Sequence, residues 1–424
     1  MHFWKYIKSY ITFCIAAFVL FSFMAVASDG PAETTIYSFD GLQPGGNPMA
    51  GLIADSTGAL YGTAVSGGNF LACAQGGPCG VVFELTPPTQ QGGPWSETVL
   101  YDFQNQDPSP PTSNLVFDQV GNLYGSTDAL DESDGDPVLF QLSPANGTWD
   151  LNSVYGSGMI GQVATPIVDK QSNLYTTVAE SFNCCGFVLE LSPQTDGSWT
   201  QNILYSFDGS DGIDPLGGVI ADTSGNLFGT TASVGSAPHC GAVFELSLRN
   251  GSWRETVLHV FSKSDGCNPT AGVIRDAKGN LYGTTEFGGL GPCISGCGTV
   301  FELSPPVRDG AEWTETTLHK FTAADGFYPY AGLAIDSTGA VYGTTIRGGS
   351  GPCEPTGAGC GTVYRLTPPS QPGGTWVHSY YSFQGPDGTF PYGNVLLDEH
   401  HGALYGTTSS GGVYGFGTVF EVVH

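Results

Sequence analysis

The chain has 424 residues, with 39 Asp plus Glu against 12 Lys plus Arg and a formal charge of −27. A chain this acidic lacks the clustered cations that hold a polyanion, which excludes nucleic-acid partners; with 40% apolar and only 12% charged residues it is not an acidic disordered tail either. Its 63 Gly and 28 Pro ask for many turns, and so for many short strands rather than long helices.

Lys5 and Lys8 precede an apolar run from Tyr10 to Met24, and Ala25-Val26-Ala27 ends it in the small-x-small pattern of a cleavage site. Residues 1–27 are therefore predicted to be a signal peptide, with 28–424 as one secreted domain, extracellular or periplasmic. The run is short for a bilayer span and no Cys follows it, so no stable membrane anchor is expected in the mature chain. Cys14 leaves with the signal. The ten remaining cysteines, an even number in an exported chain, argue for disulfides rather than metal thiolates.

Beyond residue 28 one unit recurs seven times: an Asp, a short turn, a Gly, then L-Y-G-T-T or a close variant. The aspartates are Asp55, Asp118, Asp169, Asp222, Asp276, Asp336 and Asp398, 51 to 63 residues apart. Each copy reads as four strands. In the copy around Asp276 they are residues 271–276, 281–285, 298–303 and 313–321, the last with the alternation and β-branched content of a strand near a sheet edge. No segment of the mature chain carries a helical period. The chain stops after the third strand of the seventh copy, and the missing fourth stands at the other end as Glu33-Thr34-Thr35-Ile36-Tyr37-Ser38-Phe39. The predicted fold is an all-β seven-bladed β-propeller with four antiparallel strands per blade, the amino-terminal strand closing the last blade.

At these residues the sequence resembles the Gloeo/Verruco tandem-repeat family of exported bacterial proteins, whose unit is D-x-x-G-N-L-Y-G-T-T-x-x-G-G followed by G-T-V-F-E-L. The clearest copies are those at Asp222, Asp276 and Asp336. The copies at Asp118 and Asp169 depart from the unit, with Tyr124-Gly125-Ser126-Thr127 and Tyr175-Thr176-Thr177. The resemblance implies a propeller fold and export, and implies no reaction; the carboxy-terminal sorting anchor common in the family is not seen here.

Repeat position sorts structural residues from candidates. Trp95, Trp149, Trp199, Trp253, Trp313 and Trp376 open the fourth strands and are read as core or blade-edge aromatics. The repeat aspartates are read as turn formers that bond backbone N–H groups two residues on. His259 and His319 replace the Tyr of a Y-x-F strand ending and are read as packed histidines. Asp398-Glu399-His400-His401 has metal-binding residue types but occupies a hairpin tip, where neighbouring histidines do not converge on one ion; no metal site is expected. Two acidic loops, 131–136 and 208–214, space oxygen ligands like part of a calcium loop but lack its closing Glu, so calcium is kept only as an alternative and no other cofactor is expected. The cysteines pair by loop as Cys73–Cys79, Cys293–Cys297, Cys353–Cys360 and Cys240–Cys267, leaving Cys184 and Cys185 as a vicinal pair.

In a meander blade, the connection into the first strand and the loop from second to third strand share one face. That face holds every mature cysteine and the loops of most variable length, so a ligand is expected there. The residues flanking the Pro of each P-x-A-G connection are predicted to face the central channel: Asn47 and Met49, Asp214 and Leu216, Asn268 and Thr270, and then four aromatics in adjacent blades, Tyr328, Tyr330, Phe390 and Tyr392. Aromatic faces beside amides and acids suit a sugar ring, although mutual packing of the rings accounts for them too. With no G-x-S-x-G, H-E-x-x-H, Walker or dinucleotide motif, the leading reading is a monomeric exported binding or scaffold module for an extracellular glycan or protein. The alternative is a polysaccharide-active or other lyase or hydrolase whose acids converge in the central funnel.

Overall fold

The computed structural model describes residues 31–423 except 43–44, 69–78, 91, 105–106, 108–109, 128–137, 157–160, 181–184, 236–239, 291–292, 309–310, 354–357 and 372. These residues form seven antiparallel sheets, each a blade whose strands neighbour one another in chain order from the channel outward, save that the outermost strand of the last blade is Ala32–Ser38. The blade around Asp276 is Ile274–Arg275, Leu281–Thr285, Thr299–Ser304 and Thr314–Lys320. Ring closure is as the sequence requires: Ala32–Ser38 pairs with Thr418–Val423, bringing Thr35 opposite Phe420 and Ser38 opposite Thr418. Blade three departs from four strands, its innermost position being split into Gly161–Val163 and Ile167–Val168, both paired with Leu174–Glu180.

The first strands are shorter than their apolar runs suggest. Only Ile274 and Arg275 pair in the ladder, because the residues before them bond to the neighbouring blade. There the first Thr of each L-Y-G-T-T, or its counterpart, donates its hydroxyl to a carbonyl of the next blade's channel segment. The bonds run from Thr63 to Ser113, Ser126 to Val163, Thr177 to Gly217, Thr230 to Ala271, Thr284 to Ala331, Thr344 to Gly393 and Thr407 to Ala50. Seven blades are thus joined by seven hydroxyl-to-carbonyl bonds, six of them to carbonyls of residues outside any ladder.

The apolar core lies between blades. At six of the seven junctions the Phe ending a fourth strand meets the strand-three aromatic of the next blade edge-on or tilted, from Phe39–Phe83 at 5.2 Å through Phe261–Phe301 at 4.9 Å to Phe383–Phe420 at 5.1 Å. The fourth-strand tryptophans act likewise: Trp95 packs on Tyr405, Trp199 on Tyr124 and Trp313 on Phe228, each on the preceding blade. The Gly of Y-G-T is set by the same core, since a Cβ at Gly283 would fall 2.5 Å from the ring of Phe301. Blade three shows the converse: Thr176 stands at the Gly position and is paired with Leu189 where the other blades carry an aromatic.

All seven repeat aspartates cap their hairpins. Asp276 Oδ1 accepts the N–H groups of Lys278 and Asn280 while Oδ2 takes the Asn280 amide and the Tyr282 hydroxyl. Asp398 does the same for His400 and His401, and binds the exposed His401 ring at 2.6 Å. This contact holds the Asp398 carboxyl below and the His401 imidazole above their ordinary ranges.

Candidate functional site

The inner ends of all seven blades surround a channel of about 360 Å³. Its wall includes Met49, Ser113, Asn114, Gln162, Thr165, Thr270 and Asn394, with Tyr330 and Tyr392 from adjacent blades. The two Tyr rings meet edge-on, with centroids 6.2 Å apart and planes at 81°. Two carboxamides are fixed by the blade before their own: Asn114 Oδ1 accepts the N–H of Gly51 at 2.6 Å, and Asn394 Oδ1 that of Gly332 at 2.7 Å. Among the described residues no carboxylate, imidazole or cationic side chain lines the channel. What the wall offers is hydroxyls, carboxamides, backbone and two phenol rings.

Of the residues proposed from sequence, Met49, Leu216, Thr270, Tyr330 and Tyr392 line the channel; Asn47, Asp214, Asn268, Tyr328 and Phe390 do not. The division follows the backbone. The five residues that precede the Pro all adopt a left-handed conformation, with φ between 54° and 61°. Asn268, Tyr328 and Phe390 donate their N–H groups to the carbonyls of Cys240, Cys297 and Cys360 in the preceding blade. Their side chains then join the upper loops. Asn47 bonds to Ser409 O and Ser66, and Asn268 to Glu286. Tyr328 packs on Phe287 and Phe327, and Phe390 lies 5.1 Å from the guanidinium of Arg347. Burial pushes the Asp214 carboxyl up.

Three disulfides form as expected: Cys293–Cys297 and Cys353–Cys360 within loops, and Cys240–Cys267 between one blade's upper loop and the connection into the next. Cys79 and Cys185 are disulfide-bonded too, while Cys73 and Cys184 lie outside the described residues. Such bonds suit an oxidising, extracellular compartment. No helix of the described residues is long and apolar enough to cross a membrane. Of the two acidic loops, 131–136 lies outside the described residues. In the other, Asp208 caps Ser210, and Asp211 accepts the Asp208 N–H and the Tyr205 hydroxyl.

Residues 162–371 match the model of the Gloeobacter/Verrucomicrobia repeat. Those residues carry this repeat. No curated protein matches the sequence significantly. Solved structures resemble it at low identity. Polysaccharide lyase Uly1 is 11% identical over 93% of this chain and 99% of its own, with a TM-score of 0.49. The Penicillium chrysogenum α-L-arabinanase complexed with arabinobiose is 13% identical over 83% and 98%, with a TM-score of 0.45. The extracellular domain of BT4673 from B. thetaiotaomicron is 10% identical over 89% of this chain, which spans 40% of that chain, with a TM-score of 0.48.

The propeller also builds a polar set at blade junctions that sequence reasoning missed. Six residues after the Tyr or His of the fourth strand stands an Asp that binds it and caps the following turn: Tyr101–Asp107 at 3.0 Å, His259–Asp265 and His319–Asp325 at 3.1 Å, and Tyr381–Asp387 at 2.5 Å. At one fourth-strand position the next blade sets a Glu against such groups: Glu315 against His259 and Asp265, Glu33 against Tyr381 and Asp387, Glu255 against Asp211, and Glu97 against Asp40. Burial, and then a neighbouring Asp of the preceding blade, pushes the carboxyls of Glu97 and Glu255 up to about 7; Glu33 also reaches about 7, through burial first and Asp387 as well. Between blades five and six the place is taken by His378, whose imidazole burial and His319 push down to about 4. The signal was available in the spacing Y/H-x-F-x3-D, but its partners come from different repeats.

Proposed function

We propose that the chain is an exported binding module whose channel mouth, on the disulfide-bearing face, takes a neutral, hydroxyl-rich ligand of the carbohydrate class. The observation that carries this reading is the channel wall. Its two phenol rings offer apolar faces to sugar C–H groups, and fixed carboxamides, threonines and backbone offer hydrogen bonds without a charge to satisfy. A glycosidase or lyase in the same place needs an acid and a base at reacting distance, and the described wall supplies neither. Export is supported by the leader-like composition of residues 1–27 and by the disulfides. A glycan array run beside a polysaccharide-degradation panel tests the reading. Retention of neutral glycans without turnover is expected; cleavage of any of them overturns the non-catalytic assignment.

A further inference from the structure

Blade six differs from the other six in a way that the channel does not use. Each other blade carries a bulge between its third and fourth strands, whereas Thr362–Thr367 and Val377–Ser382 pair without one. Tyr381 stands three positions after His378, whereas His319 stands four after Glu315 and Tyr101 four after Glu97. His378 stands where four junctions place a Glu, and it faces the one junction at which the preceding blade offers His319 and Asp325. The result is a set of donors found nowhere else among the described residues. His319 Nε2 lies 3.1 Å from Asp325 Oδ2, His378 Nδ1 lies 3.6 Å from the same oxygen, and the three donor atoms are all within 4.8 Å of one another. Around a tetrahedral ion with ligands at about 2.0–2.2 Å, neighbouring donors sit about 3.3–3.6 Å apart.

We propose that His319, Asp325 and His378 form a site for a divalent transition metal of the zinc class, held between blades five and six. Two imidazole nitrogens and one carboxylate oxygen suit Zn²⁺ and its neighbours, whereas Ca²⁺ and Mg²⁺ take oxygen ligands. Side-chain exposures of 13 to 19% leave room for water as a fourth ligand. The rings of His319 and His378 now stack, with centroids 4.0 Å apart and planes at 25°. In-plane lone pairs of stacked rings do not converge, so binding turns at least one ring out of the stack. The His378 ring stacks on His319 and Tyr380 and lies against Phe321 and Tyr364, while its Nε2 is buried without a hydrogen-bond partner, so turning this ring costs stacking contacts but breaks no hydrogen bond at Nε2.

The test is calorimetric titration of the EDTA-treated protein with Zn²⁺, with Ca²⁺ as the comparison. One equivalent of Zn²⁺ should bind at about 10 μM or tighter, raise the thermal midpoint, and shift the His319 and His378 ring resonances in NMR spectra. His378→Gln and His319→Tyr install residues that other blades carry at these positions, Gln201 and Tyr205. Each should weaken Zn²⁺ binding at least about tenfold while leaving the metal-free midpoint within a few degrees. Binding that survives both substitutions, Ca²⁺ binding as tight as Zn²⁺, or unshifted ring resonances at one equivalent would overturn the site. The ring resonances decide the matter even should a variant fail to fold.

Discussion

The inner and outer halves of the blade junctions obey different rules. At the channel, all seven junctions make one bond, a hydroxyl to a carbonyl of the next blade, as from Thr284 to Ala331 and from Thr407 to Ala50. Farther out, the junctions differ: Glu255 faces Asp211, Glu315 faces Asp265 and His259, and His378 faces Asp325 and His319. Ring geometry explains the contrast. A closed ring has one channel whose wall every blade must complete, so the inner bond recurs. The outer contact is local to two blades, where a change in one strand is answered by its neighbour alone.

The inner rule is broken most completely at closure. Deleting residues 28–40 removes Ala32–Ser38, leaves Thr418–Val423 paired on its Ala403–Thr408 side alone and strips Phe39 from Phe83. The melting midpoint should fall by about 10 °C or more; a truncated protein that melts like the parent would refute the closure. Next comes the Gly that lets strand-three aromatics approach. Gly283→Thr alone should cost about 2–3 kcal/mol by overpacking against Phe301. Adding Phe301→Leu, the pairing that Thr176 and Leu189 make in blade three, should recover part of that loss in urea unfolding. A smaller effect is expected for Thr407→Val, which leaves the Ala50 carbonyl without its hydroxyl donor, at about 1–2 kcal/mol.

The outer rule is sharpened by pH. Burial holds the Glu97 and Glu255 carboxyls protonated up to about 7 in the folded protein, against an ordinary 4.5. The folded state therefore binds more protons between those values; the stability these carboxyls contribute is full below about pH 4.5 and is lost as pH rises through about 7. Glu97→Gln and Glu255→Gln should each stabilise the protein at pH 8 by about 1 kcal/mol, a figure reduced for solvent screening, and change little near pH 4.5. Melting curves across that range measure it. A gain that is the same at both pH values would point to packing rather than to charge.

What could be read in advance divides along the same line. Asp276 and its six counterparts were legible because one residue type recurs at one hairpin, and the closing strand because the final copy lacks a fourth. Met49, Tyr330 and Tyr392 were placed at the channel from their distance to a Pro. Their partners Asn47, Tyr328 and Phe390 were placed there too, and the structure turns them into the upper loops. A left-handed φ reverses the side chain's direction, and nothing in residue type announces it at a Tyr or Phe. The 271–276 strand was drawn too long for a related reason: Ala271 serves Thr230 of the preceding blade rather than its own ladder. His378 escaped notice because its partners stand 53 and 59 residues earlier in another repeat, where alternation along one strand carries no information.

The central claim, a neutral ligand held at the Tyr330–Tyr392 edge of the channel, is tested most directly by replacing both residues with Ala. The measurement is calorimetric binding of the glycan that the array retains best, with melting curves recorded on the same samples. The account predicts at least about a tenfold loss of affinity, ~1.4 kcal/mol, at an unchanged midpoint. Undiminished binding, or a midpoint that collapses with the substitution, would contradict it and assign the two rings to packing.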